Sequence, residues 1–404
     1  MTLSIRIIAA LALLQAILCI CPPRSEAVIV DLRADAGSIV MPNGASVPVW
    51  GFALGNGAVT VPGPQLVVPA GDTTLTINLT NNLPVPVSVV VPGQPLTPVP
   101  TQVGGRVMSF ANEVAANSGP VPITFNGLKP GTFIYESSTN PAVQIPMGLY
   151  GAVIVRPAAA GQAYNDPASA FANEQIVIFS EIDPVLNNVV STAPATPYST
   201  VGYTPRYFLI NGKAFPETVD ILAPTGQKTL LRLLNPGSRN YTPILQGSYQ
   251  DAASGVFPLS LSTIAEDGNL LPFARMETGL ILPAGKTLDA ILDLTVAVTP
   301  GYYPFYDRRL SLMNDQVAMG GMMTFIRSDV AGKNCSPLKG DLNGDGKVDI
   351  ADVLTTLRAF VGNTYNQAAD VDLEPVTGLP CGDGTLALPD VLNVLRKALG
   401  MNPF

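Results

Sequence analysis

The sequence predicts a mainly β protein, in which two Greek-key β-sandwiches are followed by a small α-helical module. Frequent turn residues are the first observation, since 38 prolines and 37 glycines in 404 residues favour short strands joined by turns. The second is the alternation of apolar and polar residues in short runs over about the first three hundred residues. The third is the change, from Asp341 onward, to Asp- and Gly-rich loops followed by helical periodicity.

Residues 1–27 are predicted to be an export signal. Arg6 precedes the apolar run "IIAALALLQAILCIC", and small residues follow in "SEA" up to Ala27. A retained membrane anchor is the alternative, but the run of roughly 15 residues is shorter than the ~20 that span a bilayer. We therefore expect a secreted protein without a membrane span, extracellular, at the cell surface or in a periplasm. The formal net charge of −8 gives no indication of a nucleic-acid partner.

Residues 28–157 are predicted to form the first sandwich, of about seven strands. In "LTINLTN" at 75–81, Leu75, Ile77 and Leu79 share one face, as in a strand that is buried on one side. The valine-rich run "PVPVSVVVP" at 84–92 predicts a strand of the inner layer. A turn and a strand are predicted by "NGLKPGTFIY", and the closing strand by "GLYGAVIVRP".

The second sandwich is predicted to follow a linker at 158–172, which is rich in Ala, Pro and small polar residues. Strand patterns resume at "EQIVIFSEI" and continue to "GGMMTFIRS", so residues 173–328 form a second unit of similar size. A further linker, 329–339, leads to the helical module at 340–404.

The loop "DLNGDGKVDIAD" at 341–352 has the spacing of a calcium-binding loop. Calcium requires converging oxygen ligands, and a glycine at the sixth position permits the sharp turn. An acidic surface turn is the alternative interpretation. The predicted ligands of this first calcium site are Asp341, Asn343, Asp345, the carbonyl of Lys347, Asp349 and Asp352.

The helical module contains a repeat, in which "GKVDIADVLTTLRAFVG" at 346–362 aligns with "GTLALPDVLNVLRKALG" at 384–400. The duplicated loop-helix unit resembles the dockerin, which docks onto cohesin domains in cellulase-type systems and binds one calcium per repeat. The resemblance covers residues 340–402 and implies two calcium ions, with a cohesin-like or other extracellular partner, or self-assembly. It places the second calcium site, in which Ala387 replaces one oxygen donor, at Asp370, Asp372, Asp383, the carbonyl of Thr385 and Asp390.

The dockerin resemblance also implies a partner face, formed by Ile350 and Ala351 in one repeat and by Leu388 and Pro389 in the other. These residues are apolar, as a protein-binding patch would be, although packing against the neighbouring sandwich requires the same character. Removal of the export signal leaves two cysteines, Cys335 and Cys381, and we expect them to form a disulfide in an oxidising compartment.

Several stretches, in family order, resemble the cupredoxin domains of multicopper oxidases. The first sandwich contributes "VPGPQLVVPAGDTTLTINLTNNLPVPVSV" and "KPGTFIYESSTNPAVQIPMGLYGAVIVRP", and the second contributes "LLRLLNPG" and "LILPAGKTLDAILDL". Members of that family oxidise substrates at one copper and reduce dioxygen at a cluster of three, which paired histidines hold. Imidazole suits copper because it is a neutral, borderline-soft donor.

The chain contains no histidine, so the copper ligands that the resemblance implies are absent. Copper is therefore not expected as a cofactor, and no catalytic constellation of another class is singled out, because a serine nucleophile has no histidine base. The family's ligand positions fall on Val90, Pro92, Glu136, Ser138, Ile244, Gln246, Tyr306, Asp307 and Arg308.

The absence of histidine leads to three further predictions, two on the replaced copper positions and one on a methionine-rich stretch. We expect Val90 and Ile244 to pack as core. Arg308 either pairs with Asp307 or Glu136, or all three side chains are solvated. The best remaining soft donors for Cu(I) are the methionines of "MGGMM" at 319–323, for which core filling is the preferred interpretation.

These observations predict a secreted, non-catalytic structural or binding protein on a copper-free oxidase scaffold, attached through a calcium-binding dockerin. One alternative is an oxidoreductase of the multicopper-oxidase type that holds copper through unconventional ligands. A further alternative is an accessory protein of a polysaccharide-degrading complex.

Overall fold

The computed structural model of the protein describes residues 28–95, 100–251, 255–296, 298–328, 340–342, 347–362, 369, 371, 386 and 388–399. Its architecture is mainly β, which confirms the fold class predicted from the sequence. The predicted export signal and the two cysteines of the expected disulfide, Cys335 and Cys381, lie outside the described residues. None of the described helices has the length and apolar character required to cross a membrane.

The first sandwich has a four-stranded sheet in the order β2-β1-β4-β7, a three-stranded sheet in the order β3-β9-β8, and a β5-β6 hairpin. β1 pairs antiparallel with β2 and parallel with β4. One short helix, α1 (Pro141–Met147), lies between β8 and β9. The strands are β1 (Val28–Val40), β2 (Ser46–Leu54), β3 (Leu66–Val68), β4 (Thr74–Asn81), β5 (Thr101–Val103), β6 (Arg106–Ser109), β7 (Ser118–Asn126), β8 (Gly131–Glu136) and β9 (Tyr150–Val155).

The core of the first sandwich follows the period-two pattern read from the sequence. Leu75, Ile77 and Leu79 of β4 are fully buried and pack with Phe133 of β8 and Val153 of β9, from the facing sheet. The strand predictions for β4, β8 and β9 are therefore confirmed.

The run at 84–92 is buried but does not form a regular strand, contrary to the prediction. Val87, Val89 and Val91 lie in the core, yet the run makes only isolated bridges, including Val87 with Val114 and Val90 with Glu136. Prolines at 84, 86 and 92 explain the difference, because proline has no amide hydrogen for a strand ladder.

The second sandwich has an eight-stranded sheet in the order β18-β17-β19-β13-β10-β11-β21-β22 and a four-stranded sheet in the order β12-β23-β20-β14, with a β15-β16 hairpin. Helix α2 (Pro184–Thr192) follows β10 and begins at Asp183, whose side chain accepts a hydrogen bond from the Val185 amide. The strands are β10 (Asn173–Ile182), β11 (Tyr207–Ile210), β12 (Ile221–Leu222), β13 (Lys228–Asn235), β14 (Pro243–Leu245), β15 (Ser248–Asp251), β16 (Gly255–Pro258), β17 (Leu261–Glu266), β18 (Asn269–Glu277), β19 (Lys286–Asp293), β20 (Tyr302–Asp307), β21 (Met313–Asn314), β22 (Val317–Ala318) and β23 (Met323–Arg327).

A buried ion network joins the two sandwiches. Arg232 of β13 is fully buried and donates hydrogen bonds from Nε to Glu174 Oε1 at 2.5 Å and from its NH1 group to Thr132 Oγ1 at 2.7 Å. Arg156, just after β9, donates two hydrogen bonds to the Glu174 carboxylate at 2.7 and 2.6 Å. Asp289 of β19 accepts from Thr132 at 2.5 Å and lies 3.3 Å from Arg232. Two arginines and two carboxylates neutralise one another at this junction.

The segment predicted as a linker, 158–172, is partly built into the same junction. Ala163 and Tyr164 are buried and cluster with Leu230 and Ile291 of the second sandwich. The Tyr164 hydroxyl donates a hydrogen bond to Asp289 Oδ2 at 2.7 Å. The connection between the sandwiches is thus a packed part of the structure.

The helical module is described through two helices, α3 (Ile350–Val361) and α4 (Leu388–Ala398), which pack against each other. The small core of the module consists of Val353 from α3, Val394 from α4 and Val371 from the segment between the two helices. The start of α3 is a capping box, since Asp349 and Asp352 each accept a hydrogen bond from backbone amides of the first turn.

Candidate functional site

The first two predicted pairs of copper positions adjoin in the structure. Val90 donates its amide to the Glu136 carbonyl at 2.9 Å, and Glu136 donates its own amide to the Val90 carbonyl at 3.0 Å. Glu136 is the last residue of β8, so the end of this strand is held against the run at 84–92. The positions where imidazoles would stand in the family are therefore neighbours, but they carry a valine and a carboxylate.

The replaced positions of the second sandwich adjoin in the same way. Ile244 of β14 lies directly opposite Tyr306 of β20, and Pro243 lies opposite Asp307. The amide of Arg308 donates to the Thr242 carbonyl at 2.8 Å. These pairs keep their neighbouring positions but carry an isoleucine and a tyrosine in place of imidazole ligands.

A cluster of buried hydroxyl groups surrounds Ser138. This residue is the second replaced copper position of its pair and lies two residues after the end of β8. Ser88 Oγ and Ser138 Oγ are 3.0 Å apart, and Thr139 Oγ1 donates to Ser88 Oγ at 3.0 Å. Thr139 Oγ1 is also 3.1 Å from Ser109 Oγ, which in turn donates to the Ala111 carbonyl at 2.9 Å. The hydroxyls satisfy one another, so this interior consists of hydrogen-bonded neutral oxygens, which are hard donors and unsuited to copper.

Helix α1 is fixed to the same region by Gln144. This buried side chain accepts from Ser137 Oγ at 2.6 Å and donates to the Pro86 carbonyl at 2.8 Å. Gly148 ends the helix with φ of 118°, and a Cβ there would lie 2.4 Å from the Trp50 carbonyl oxygen. Only glycine fits this position, because it tolerates both the conformation and the close approach.

Glu136 is the ionisable group of the first sandwich's replaced site. Its side chain is largely buried, and within the described residues no hydrogen bond or ion pair reaches its carboxylate. Burial raises the pKa of the Glu136 carboxyl to about 7. The carboxyl is therefore partly protonated near neutral pH.

Asp307, one of the copper positions that the family resemblance implies, is fully buried. Its Oδ1 accepts hydrogen bonds from the Thr242 amide at 2.8 Å and the Arg309 amide at 3.2 Å. In the part of the chain that the structure describes, its Oδ2 has no hydrogen-bond partner. Asp307 thus links the backbone just before β14 to the backbone just after β20 through hydrogen bonds.

The expected environment of three side chains is corrected by the structure. Arg308 is exposed and, among the described residues, pairs with neither Asp307 nor Glu136, both of which are withdrawn from solvent. Val90 and Ile244 are half-buried and not core residues, because the alternation of side chains places their neighbours in the interior.

The methionines of "MGGMM" point into different environments. Met322 is fully buried in the core of the second sandwich, whereas Met319 is 88% exposed. Met323 begins β23. Core filling and entry into a strand, the preferred interpretation, agree with the positions of Met322 and Met323 but not with that of the exposed Met319.

Asp352 is hydrogen-bonded to the backbone of two described residues in the first calcium-type loop. Its Oδ1 accepts the Leu342 amide at 2.8 Å and its Oδ2 accepts the Asp349 amide at 2.9 Å. Asp352 is fully buried, and Asp349 and Asp341 are partly exposed. Aspartate oxygens are the hard donors that calcium prefers.

The second repeat has the matching arrangement. Asp390 is fully buried and its Oδ1 accepts the Val371 amide at 2.7 Å, as Asp352 accepts the Leu342 amide. Asn393 Nδ2 donates to the Val371 carbonyl at 2.8 Å. The other predicted calcium ligands lie outside the described residues: Asn343, Asp345, Asp370, Asp372, Asp383 and Thr385. Within the described ranges no cluster of three or more potential ligands from Cys, Asp and Glu is present.

The predicted partner face is exposed in both repeats. Ile350 is 60% exposed and Leu388 is 54% exposed, and the adjacent Ala351 and Pro389 are exposed as well. These residues belong to the first turns of α3 and α4, directly before the two buried aspartates.

Comparison with known proteins finds a sequence match in the first sandwich. A sequence model of the multicopper oxidase family matches residues 39–160. No curated protein matches the chain.

Solved structures extend the likeness to both sandwiches. The blue copper oxidase from Nitrosomonas europaea is 22% identical, with a TM-score of 0.60 over 75% of this chain and 86% of that one. The multicopper oxidase mgLAC is 20% identical, with a TM-score of 0.60 over 80% and 92%. The copper nitrite reductase from Nitrosomonas europaea is 19% identical, with a TM-score of 0.54 over 76% and 98%. At these identities the likeness establishes the cupredoxin-like fold.

Proposed function

We propose that this protein is a secreted, non-catalytic structural or binding protein, built on a multicopper-oxidase scaffold that has lost its copper ligands. One observation carries the proposal. Val90 with Glu136, and Ile244 with Tyr306, adjoin as paired copper ligands would, and neither pair contains an imidazole. The positions persist while the donor chemistry is gone.

The donor chemistry at these positions is incompatible with a copper cluster of the family type. Copper in such sites needs several rigid imidazole donors, and the chain has no histidine in any position. Glu136 offers one hard carboxylate, while the hydroxyls around Ser138 are engaged with one another. The hydrophobic and hydrogen-bonded interior at this place is that of a stabilised fold.

The attachment function is assigned to the helical module. Asp352 and Asp390 are buried at equivalent places of the two repeats and each accepts a loop amide, which supports a paired calcium-loop arrangement. Calcium bound in the first loop would be held by Asp341, Asn343, Asp345, the carbonyl of Lys347, Asp349 and Asp352. In the second loop it would be held by Asp370, Asp372, Asp383, the carbonyl of Thr385 and Asp390. It would order the loops that precede α3 and α4 and so present Ile350, Ala351, Leu388 and Pro389 to an extracellular protein.

The proposal is tested by calcium titration calorimetry of the full chain, its Asp352→Asn variant and, as a matched control, Glu217→Gln at an exposed acid of the second sandwich. We expect two calcium ions for the parent and the control, and one for Asp352→Asn. The same samples are then supplied with copper and a phenolic dye. No calcium binding overturns the attachment role, and dye oxidation by the copper-treated parent overturns the non-catalytic role.

A further inference from the structure

Helix α3 carries an apolar stripe that is exposed among the described residues. The α3 stripe consists of Ile350, Leu354, Leu357 and Val361, which are 60, 50, 41 and 76% exposed. Their spacing of four, three and four residues places them on one narrow face of the helix. This is the spacing of the seam along which two helices pack as in a coiled coil.

Helix α4 repeats the stripe at equivalent positions. The α4 stripe consists of Leu388 and Leu392 of the helix and of Leu399, directly after its last residue, which are 54, 44 and 62% exposed. Leu395, which corresponds to Leu357 of α3, is partly buried against the small core of the module. The stripe is therefore a property of the repeat and is present twice in each chain.

The contact between α3 and α4 uses other faces of the two helices. Val353 and Val394 meet Val371 in the module core, and both are buried. Packing of the described helices therefore leaves the two stripes in contact with water. Seven large aliphatic side chains exposed on so small a module form an apolar surface of the kind that marks an interaction site.

The size of this surface matches what a stable dimer needs. The exposed fractions of the seven side chains correspond to roughly 700 Å² per chain, close to the ~800 Å² that each partner contributes to a standard interface. The charged residues exposed on the two described helices, Arg358 and Arg396, are both basic. Association through the stripes therefore depends on apolar burial, without charge attraction.

We propose that the two stripes pair with those of a second copy of this chain, so that the module is a calcium-dependent homodimerisation device. The two equivalent stripes favour a second copy as the occupant. If the α3 stripe of one copy packs on the α4 stripe of the other, a twofold axis repeats the contact and covers both stripes of both copies. A partner with one binding patch would leave one stripe exposed. This inference rests on the proposed function, since calcium orders the loops that precede both helices.

The test is sedimentation equilibrium of the full chain at about 50 µM with calcium. The parent is expected to be a dimer, and the Leu354→Glu/Leu392→Glu variant a monomer whose dissociation constant is weakened at least about 100-fold. The matched control is Thr355→Glu, at an exposed position of α3 that lies outside the stripe. This variant should remain a dimer. Raising the salt concentration should leave the parent dimer intact or strengthen it, because both exposed charges are basic.

Calcium calorimetry on the same samples separates this inference from the proposed function. A parent that binds calcium and remains a monomer overturns the homodimer and assigns the stripes to a different protein. A double variant that still dimerises overturns it as well. A parent that binds no calcium contradicts the proposed function itself, and a dimer that persists without calcium contradicts the calcium dependence.

Discussion

Arg232 and Glu174 form a fully buried ion pair, in which Arg232 Nε lies 2.5 Å from Glu174 Oε1. Glu174 also receives both terminal nitrogens of Arg156, from the end of the first sandwich. Both members of the pair lie in the second sandwich, and Arg156 connects them to the first. Loss of one partner leaves the other charged and buried, a far larger penalty than loss of an exposed ion pair.

We expect Arg232→Ala to lower the free energy of unfolding by about 3 to 5 kcal/mol, since Asp289 loses its cation and Glu174 keeps only Arg156. Urea unfolding followed by fluorescence measures the change. The control is Arg275→Ala, whose side chain is 52% exposed beside Glu266 and should cost less than about 1 kcal/mol. Equal costs for the two variants would contradict a stabilising role of the buried network.

Glu174 makes stability depend on acid pH. Burial alone would raise the pKa of this carboxyl, but the guanidinium groups of Arg232 and Arg156 together hold it below the ordinary value of 4.5. A lowered pKa in the folded state contributes stability that is fully present above pH 4.5 and is lost as the pH falls through the folded-state pKa. Glu174→Gln should therefore be less stable than the parent at pH 7, and the difference should shrink in urea titrations below pH 4. A constant difference from pH 7 to pH 3 would show that another group controls the transition.

Glu136 should make stability depend on pH in the opposite direction, so that stability falls as the pH rises. Burial raises its pKa from 4.5 to about 7, so the folded state favours the protonated carboxyl. The protonated form's stabilising advantage is fully present below pH 4.5 and is lost as the pH rises through 7. Glu136→Gln is expected to be more stable than the parent at pH 8, by at most about 3 kcal/mol, and equal to it at pH 4. Thermal unfolding at both pH values measures this, with Glu217→Gln as the exposed control; a destabilised Glu136→Gln at pH 8 would refute the burial argument.

The backbone pairing of Val90 with Glu136 predicts that a metal site can be restored. In the Val90→His/Glu136→His variant, two imidazoles would stand on adjacent segments, as the paired hydrogen bonds of 2.9 and 3.0 Å require. We expect it to bind Cu(II) roughly 100-fold tighter than Val90→His alone, because two donors act together. Copper titration followed by visible absorption and paramagnetic resonance measures the affinity. Equal affinity of the single and double variants would mean that the two positions do not face a common point.

Short-range patterns were enough to predict much of the fold. The alternation in β4 identified its strand, because burial on one side imposes a period of two. Continuous apolar runs identified β8 and β9, in which nearly every residue is buried. The run at 84–92 was placed correctly in the interior, but its prolines prevented the ladder that the valines suggested.

Contacts between distant residues could not be predicted in this way. Ser88, Ser109 and Thr139 meet only because three separate segments converge, and serine is common in loops of any kind. Arg232 did leave a signal, since a single charge within "LLRLLN" must be paired if the strand is buried. The signal calls for a partner but does not identify Glu174, which lies 58 residues away along the chain.

The calcium prediction depended on the repeat, and the structure describes its two central aspartates. Asp352 and Asp390 are buried and accept equivalent loop amides, which the sequence did not indicate. Most of the remaining predicted ligands lie outside the described residues, so the ligand set of each loop stays a prediction.

The central claim is that the oxidase scaffold no longer holds copper and that calcium is the metal of this chain. Its most direct test is elemental analysis of the full chain after exposure to excess copper and calcium, followed by extensive dialysis. We predict two calcium ions per chain and copper well below one per chain. One or more firmly bound copper ions per chain would contradict the account.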